Sequence, residues 1–158
     1  MRVNRLVFLV IACLAAASVA MFAADPSIGT WKLNVAKSKF ADASMAPKSA
    51  TTKIEATADG GVKVTVDNVG SDGKPVHYTY TAKYDGKDYP VKGDSNRDSI
   101  SITKKDDYTH QITSKLAGKV TSTATVVYSK DGKTRTVTVS GTNAQGQSGT
   151  NVQVYDKQ

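Results

Sequence analysis

The sequence contains a single cysteine, Cys13, and it lies within the first 24 residues. The rest of the chain therefore cannot form an internal disulfide and offers no thiol nucleophile and no thiolate metal ligand. After residue 24 there are also only two leucines and one glutamate, against eighteen threonines and fourteen valines. Leucine and glutamate favour helices, whereas β-branched residues suit a pleated sheet. This imbalance predicts an all-β fold.

Only one long apolar run is present, and it lies at the start of the chain. Two arginines precede the uncharged stretch 6–20, which ends in small residues. This layout predicts a signal peptide over residues 1–24 and a single domain over residues 25–158 in an extracytoplasmic compartment, periplasmic or secreted. Two alternatives remain open. One is an uncleaved membrane anchor, and the other is a lipid-anchored form processed at the box from Val10 to Cys13.

Charge is modest and dispersed. The whole chain carries a formal net charge of +7 at pH 7, and its lysines occupy scattered single positions. Such lysines are typical of a solvated outer face, so we expect no nucleic-acid partner. Once the leader is cleaved, we expect no membrane span. The remaining length is sufficient to bury a core, and we expect a monomer.

From Trp31 onward, short runs alternate apolar and polar residues, and turn dipeptides close nearly every run. Asp-Gly pairs begin at Asp59, Asp72, Asp85 and Asp131, and these pairs accept the positive φ of tight hairpins. The pattern predicts an antiparallel up-and-down β-barrel or clam of about 8–10 strands. The candidate strands are 29–35, 50–58, 61–69, 75–84, 87–92, 97–104, 107–116, 119–129, 133–142 and 148–156.

The alternation also assigns side chains to the two faces of the sheet. A meander with one apolar face buries that face by closing on itself, which also removes exposed edges. The irregular stretch 36–47 is expected to cross one open end. The side chains predicted to point inward are Val62, Val64, Val66, Val76, Tyr78, Tyr80, Ala82, Ile100, Ile102, Tyr108, His110, Ile112, Ala124, Val126, Val137 and Val139.

The Gly-Thr-Trp tripeptide at 29–31, followed by a meander of strands, resembles the lipocalin and fatty-acid-binding-protein (calycin) superfamily. The resemblance is to small exported lipocalin-like bacterial proteins in particular. It implies a barrel that binds a small apolar or amphipathic ligand, with Trp31 as the structural plug of the closed end. It also implies a last-strand arginine packed over that tryptophan.

In fatty-acid binders of this superfamily, an arginine two residues before a tyrosine on the last strand holds the ligand carboxylate. The matching stretch here is Gln153 to Tyr155, and glutamine cannot neutralise a carboxylate. Fatty-acid binding by that mechanism is therefore not predicted. Either Gln153 and Tyr155 or Val152 and Val154 face inward.

Four side chains are candidates for ligand binding: Tyr78, Tyr80, His110 and Arg135. Arg135 shares the inward parity of Val137, so with His110 it would form a polar end to an apolar pocket. This predicts a neutral or weakly anionic apolar ligand. Alternatively, His110 is a core histidine bonded to a hydroxyl and Arg135 extends out at the rim. The barrel would then be a non-catalytic structural or surface-interaction domain with a filled interior.

Signals for catalysis and metal binding are weak. The two histidines, His77 and His110, fall on opposite predicted faces, which argues against zinc. The run Asp94 to Asp98 has the alternating oxygens of a calcium loop, but its twelfth position is Lys105 rather than an acid. No carboxylate is predicted beside His110, so a nucleophile would lack its relay. We therefore predict neither an enzyme nor a cofactor.

Overall fold

The computed structural model describes residues 25–42, 46–142 and 148–158. The predicted leader, with its processing sites and Cys13, lies outside the described residues. Within them the chain forms a closed antiparallel barrel in which strands pair in chain order and β1 pairs with β10. The strands are β1 Gly29–Leu33, β2 Ser49–Ala56, β3 Val62–Val69, β4 Pro75–Ala82, β5 Tyr89–Lys92, β6 Ser99–Asp106, β7 Thr109–Leu116, β8 Lys119–Tyr128, β9 Thr134–Thr142 and β10 Ser148–Lys157.

The predicted all-β, up-and-down barrel is confirmed, and each strand end lies within two residues of its expected position. The glycines of the four Asp-Gly pairs have φ values between 68° and 83°, the left-handed conformation that these turns require. The helical structure in the described residues is one 3-10 turn, Val35–Lys37. No helix among them is long and apolar enough to cross a membrane.

The predicted inward parity is confirmed along β3, β4, β6, β8 and β9, where the side chains assigned to the interior are buried, packed against the core or, for Val76, half-buried. Tyr108 is the exception, since it is 38% exposed. It lies in the β6–β7 turn, before β7 begins at Thr109, and its amide donates to Oδ1 of Asp106 at 2.8 Å. The turn therefore takes up a residue that the alternation assigned to the strand.

The segment after β1 lies beside β10 rather than crossing the barrel opening over its described part, residues 36–42. Lys39 and Val152 exchange two backbone hydrogen bonds of 2.7 Å, and Oγ of Ser38 accepts from the Val154 amide at 2.9 Å. This segment therefore extends the pairing between β1 and β10 as far as Val152. Residues 43–45 lie outside the described ranges.

Candidate functional site

One end of the barrel is sealed by the residues that precede β1. Trp31 is fully buried, its ring lies 5.5 Å from that of Tyr128, and its Nε1 donates to the Ser27 carbonyl at 2.9 Å. The hydroxyls of Ser27 and Tyr84 lie 3.1 Å apart. Tyr84 also donates to Oδ2 of Asp25 at 3.0 Å. The segment before β1 thus folds under the barrel and closes it.

The glycine of the Gly-Thr-Trp tripeptide has a steric role at this closed end. Gly29 has a φ of 137°, and a Cβ at this position would lie 2.6 Å from Cε of Lys157. The ammonium of Lys157 lies 5.1 Å from the Trp31 ring centroid, a cation–π distance. Gly29 therefore leaves room for a last-strand lysine, which lies where the resemblance implies an arginine.

His110 lies in this closed half of the interior. Its ring lies 4.8 Å from that of Tyr84 and 5.3 Å from that of Tyr128. The free space among these side chains is about 20 Å³, room for at most one water molecule. Nε2 of His110 has no hydrogen-bond partner in the described part of the chain. Because burial lowers the pKa of His110, the ring is neutral at pH 7.

The other half of the interior encloses a chamber of about 270 Å³. Tyr80, Ile112 and Arg135 border both this chamber and the small space below it, so they form its floor. At the outer edge lie Pro47 and the exposed Asn96. The aliphatic part of the wall consists of Ala50, Val66, Val76, Ile100, Ile112, Ala124, Val137 and Val139.

Arg135 carries the uncompensated charge of this chamber. It is only 8% exposed, and its Cζ lies 5.0 Å from the ring centroid of Tyr155, its cross-strand partner. Nε and Nη1 of Arg135 are buried without a hydrogen-bond partner among the described residues. No ion pair in those residues includes it. Arg135 therefore does not extend to solvent. Its guanidinium is hydrogen-bonded to Tyr128 but keeps two nitrogens without a partner among the described residues.

A second arginine, which the sequence analysis did not select, lies at the mouth of the chamber. Nε of Arg97 lies 2.7 Å from Oδ2 of Asp94, whose side chain is 3% exposed. The guanidinium also lies 5.0 Å from the Tyr78 ring centroid and donates to Oγ of Ser114 at 3.3 Å. In contrast to Arg135, Arg97 already has a buried counterion.

The run Asp94 to Asp98, with its calcium-like spacing, instead holds the loop between β5 and β6. Besides its ion pair, Asp94 accepts from the amide of Asn96 at 2.8 Å. Asp98 accepts from the amide of Ala117 at 2.6 Å. Within the described ranges, no group of three or more histidine, cysteine, aspartate or glutamate side chains converges as a metal site would require.

The parity of β10, which the sequence left open, is resolved in favour of Gln153 and Tyr155. Tyr155 is 7% exposed, its hydroxyl donates to Oε1 of Gln153 at 2.8 Å, and both residues line the chamber. The carboxylate-binding arginine of fatty-acid binders would stand at Gln153. Here the guanidinium of Arg135, on the neighbouring strand β9, lies against Tyr155 instead.

The charged side chains that line the chamber leave a single uncompensated positive charge. They are Asp94, Arg97 and Arg135, and the first two neutralise each other. Burial raises the pKa of the Tyr78, Tyr80 and Tyr155 phenols, so these groups are neutral at pH 7. They therefore offer hydrogen bonds and aromatic surface but no charge.

Of the four candidate residues from the sequence, the structure brings three to the chamber. Tyr78, Tyr80 and Arg135 line it, whereas His110 lies below the floor. A scan against protein-family models finds no match, and a search of curated proteins finds none either. The closed ten-stranded antiparallel barrel is compatible with a calycin-like fold.

Proposed function

We propose that the protein binds a small amphipathic monoanion, such as a short-chain or aromatic monocarboxylate, in the open half of its barrel. The observation that carries this proposal is the buried Arg135 guanidinium, with two nitrogens that lack a hydrogen-bond partner and no acidic partner in the described residues. A buried charge left unpaired is strongly destabilising. A carboxylate supplies both the missing charge and two parallel acceptors for the guanidinium.

The size and charge of the chamber narrow the ligand class. Its volume of about 270 Å³ lies just below the ~300–1,000 Å³ typical of drug-sized ligands, which favours a ligand smaller than a long-chain fatty acid. The single uncompensated charge matches one anionic group, because Arg97 is already paired with Asp94. The aliphatic wall favours an apolar body. A monocarboxylate of about ten non-hydrogen atoms meets all three conditions.

The predicted leader supports an extracytoplasmic location for this binding function. We propose a lipocalin-like carrier rather than an enzyme. The second function class, a structural domain with a filled interior, describes the closed half of the barrel well. The chamber above Arg135 favours ligand binding, because a purely structural barrel gains nothing from a void that contains an unpaired cation.

The test uses Arg135→Met, with Lys92→Met as the matched control that removes one exposed outer charge. Hexanoate, its neutral amide hexanamide and the dianion adipate are titrated by calorimetry. We expect hexanoate to bind wild type best and Arg135→Met to weaken it by about 2–5 kcal/mol, tenfold or far more. Lys92→Met should bind like wild type. The melting temperature of Arg135→Met should be unchanged or higher, because an apolar replacement removes an unpaired buried charge.

Two results would contradict the proposal. If hexanoate does not bind wild type, or binds Arg135→Met equally well, the guanidinium is not an anion site. If Arg135→Met instead melts far below wild type and no carboxylate binds, the arginine has a structural role. The non-catalytic structural domain would then be the better description.

A further inference from the structure

Besides the two Arg135 nitrogens, the chamber contains an unpaired polar atom on β3, further toward its mouth. Along β3 the inward residues run Val62, Val64, Val66 and then Asn68, which lines the chamber near its mouth. Val64 pairs with the floor residue Tyr80. Asn68 is four residues further along the strand, a distance of about 13 Å along β3, and the tilt of barrel strands makes its height above that level somewhat smaller.

The side chain of Asn68 is a polar group flanked by apolar side chains on both neighbouring strands. Its two cross-strand partners, Ala50 and Val76, have no side-chain hydrogen-bonding groups. Oδ1 of Asn68 is buried and has no hydrogen-bond partner in the described residues. Leaving such an atom unsatisfied is unfavourable, whereas valine would continue the series on β3 at no such cost. An amide at this position is therefore a feature that ligand binding explains and packing does not.

We infer that Asn68 is a specificity-determining residue that selects a monocarboxylate with a second, uncharged polar group at its far end. The inference rests on the proposed function, because Arg135 fixes the carboxylate at the floor and thereby directs the other end of the ligand toward Asn68. A hydroxyl is the best match, since it donates and accepts and so satisfies either atom of the amide. A second carboxylate is disfavoured, because Asp94 already neutralises the cation at the mouth.

The test compares hexanoate and octanoate with their terminal hydroxy acids, 6-hydroxyhexanoate and 8-hydroxyoctanoate, by calorimetry. In wild type, at least one hydroxy acid should bind about fivefold more tightly than its parent, the effect of one hydrogen bond. Asn68→Val should abolish or reverse this preference, measured as the ratio of the hydroxy-acid affinity to the parent-acid affinity. Asn96→Val is the matched control. That asparagine also lines the chamber but is exposed, so the preference should persist.

Asn68→Ser keeps a hydroxyl on the same strand and should retain part of the preference for the hydroxy acid over its parent. This variant tests the role of Asn68 if the valine variant does not fold. If wild type binds hexanoate through Arg135 but shows no preference for either hydroxy acid, the role of Asn68 is refuted and the proposed function stands. A preference that survives Asn68→Val refutes it equally. If no carboxylate binds at all, both the proposed function and this inference fail.

Discussion

The two halves of the barrel interior share one sheet but differ in content. The closed half contains Trp31, Tyr84, His110 and Tyr128 around about 20 Å³ of free space. The open half contains the chamber of about 270 Å³. The same strands therefore pack to completion at one end and leave a void at the other.

The difference originates in side-chain size along individual strands. From the closed end to the open end, the inward residues of β8 run Tyr128, Val126, Ala124 and Ser122. Similar decreases occur on β2, from isoleucine through threonine to alanine, and on β7, from histidine through isoleucine to serine. Because strand spacing is fixed, smaller side chains leave volume unfilled. Stability is thus concentrated at one end, and binding capacity at the other.

Removing the tryptophan should have the largest effect, because it destabilises the closed half of the barrel. Trp31→Ala deletes a fully buried ring, which costs about 3–5 kcal/mol of a total of about 5–15 kcal/mol for such a domain. Urea unfolding measures the loss. Val127→Ala, at a position 44% exposed on the outer face of β8, is the control and should stay within about 0.5 kcal/mol of wild type. A small loss for Trp31→Ala, or wild-type fluorescence resembling free tryptophan in water, would contradict the closed-end packing.

The same substitution in each half tests whether the two halves differ in packing, because both contain a buried alanine. Ala82 is 1% exposed near the closed end and Ala50 is 4% exposed beside the chamber. Ala82→Leu should overpack its site and cost about 1–3 kcal/mol. Ala50→Leu should leave thermal stability nearly unchanged and weaken hexanoate by occupying ligand space. Equal destabilisation of the two variants would show that the open half has no usable void.

The smallest effect concerns pH. Burial lowers the pKa of His110 in the folded protein, so the stability that its neutral form confers is present above its unfolded pKa of about 6.5. That stability is lost as the pH falls through the folded pKa. The charged groups acting on the ring at longer range are Asp25, Lys104, Arg135 and Asp106.

Urea unfolding of wild type between pH 7 and pH 5 should therefore show a loss of stability that His110→Gln removes. Most carboxylates titrate near pH 4, below this window. The matched control is His77→Gln, because His77 is exposed on β4 and pairs with Asp67 at 2.7 Å. A pH dependence that persists in His110→Gln but disappears in His77→Gln would reverse the assignment.

Periodicity predicted which face a side chain occupies but contained no information about its height in the barrel. Height depends on the stagger between strands, which single-strand alternation does not encode. The sequence therefore grouped His110 with Arg135 at one polar end. In the structure the boundary between the two halves runs at the level of Arg135, and His110 lies below it.

Other site residues differ in how far the sequence could reveal them. Asn68 continues the same two-residue series as Val62 to Val66, so one more step of the period would have selected it. Arg97 lies in the loop between β5 and β6, whose conformation the alternation does not specify. Ser27 and Tyr84 join the closed end through hydrogen bonds between segments far apart in sequence, which no local pattern predicts.

The pairing of β1 with β10 has a consequence for the order in which the barrel assembles. Every other strand pairing in the described residues joins strands that are neighbours along the chain, whereas this one closes a loop that contains all the other strands. Its ladder runs from Trp31–Lys157 to Leu33–Tyr155 and is extended by the backbone bonds between Lys39 and Val152. The entropy lost in closing a loop grows with the logarithm of its length, and contacts distant in sequence form slowly. The local hairpins can therefore form first, and the pairing of β1 with β10 last. The closed half of the barrel, which is the most tightly packed, is then completed last. The chamber is enclosed only after β1 has paired with β10.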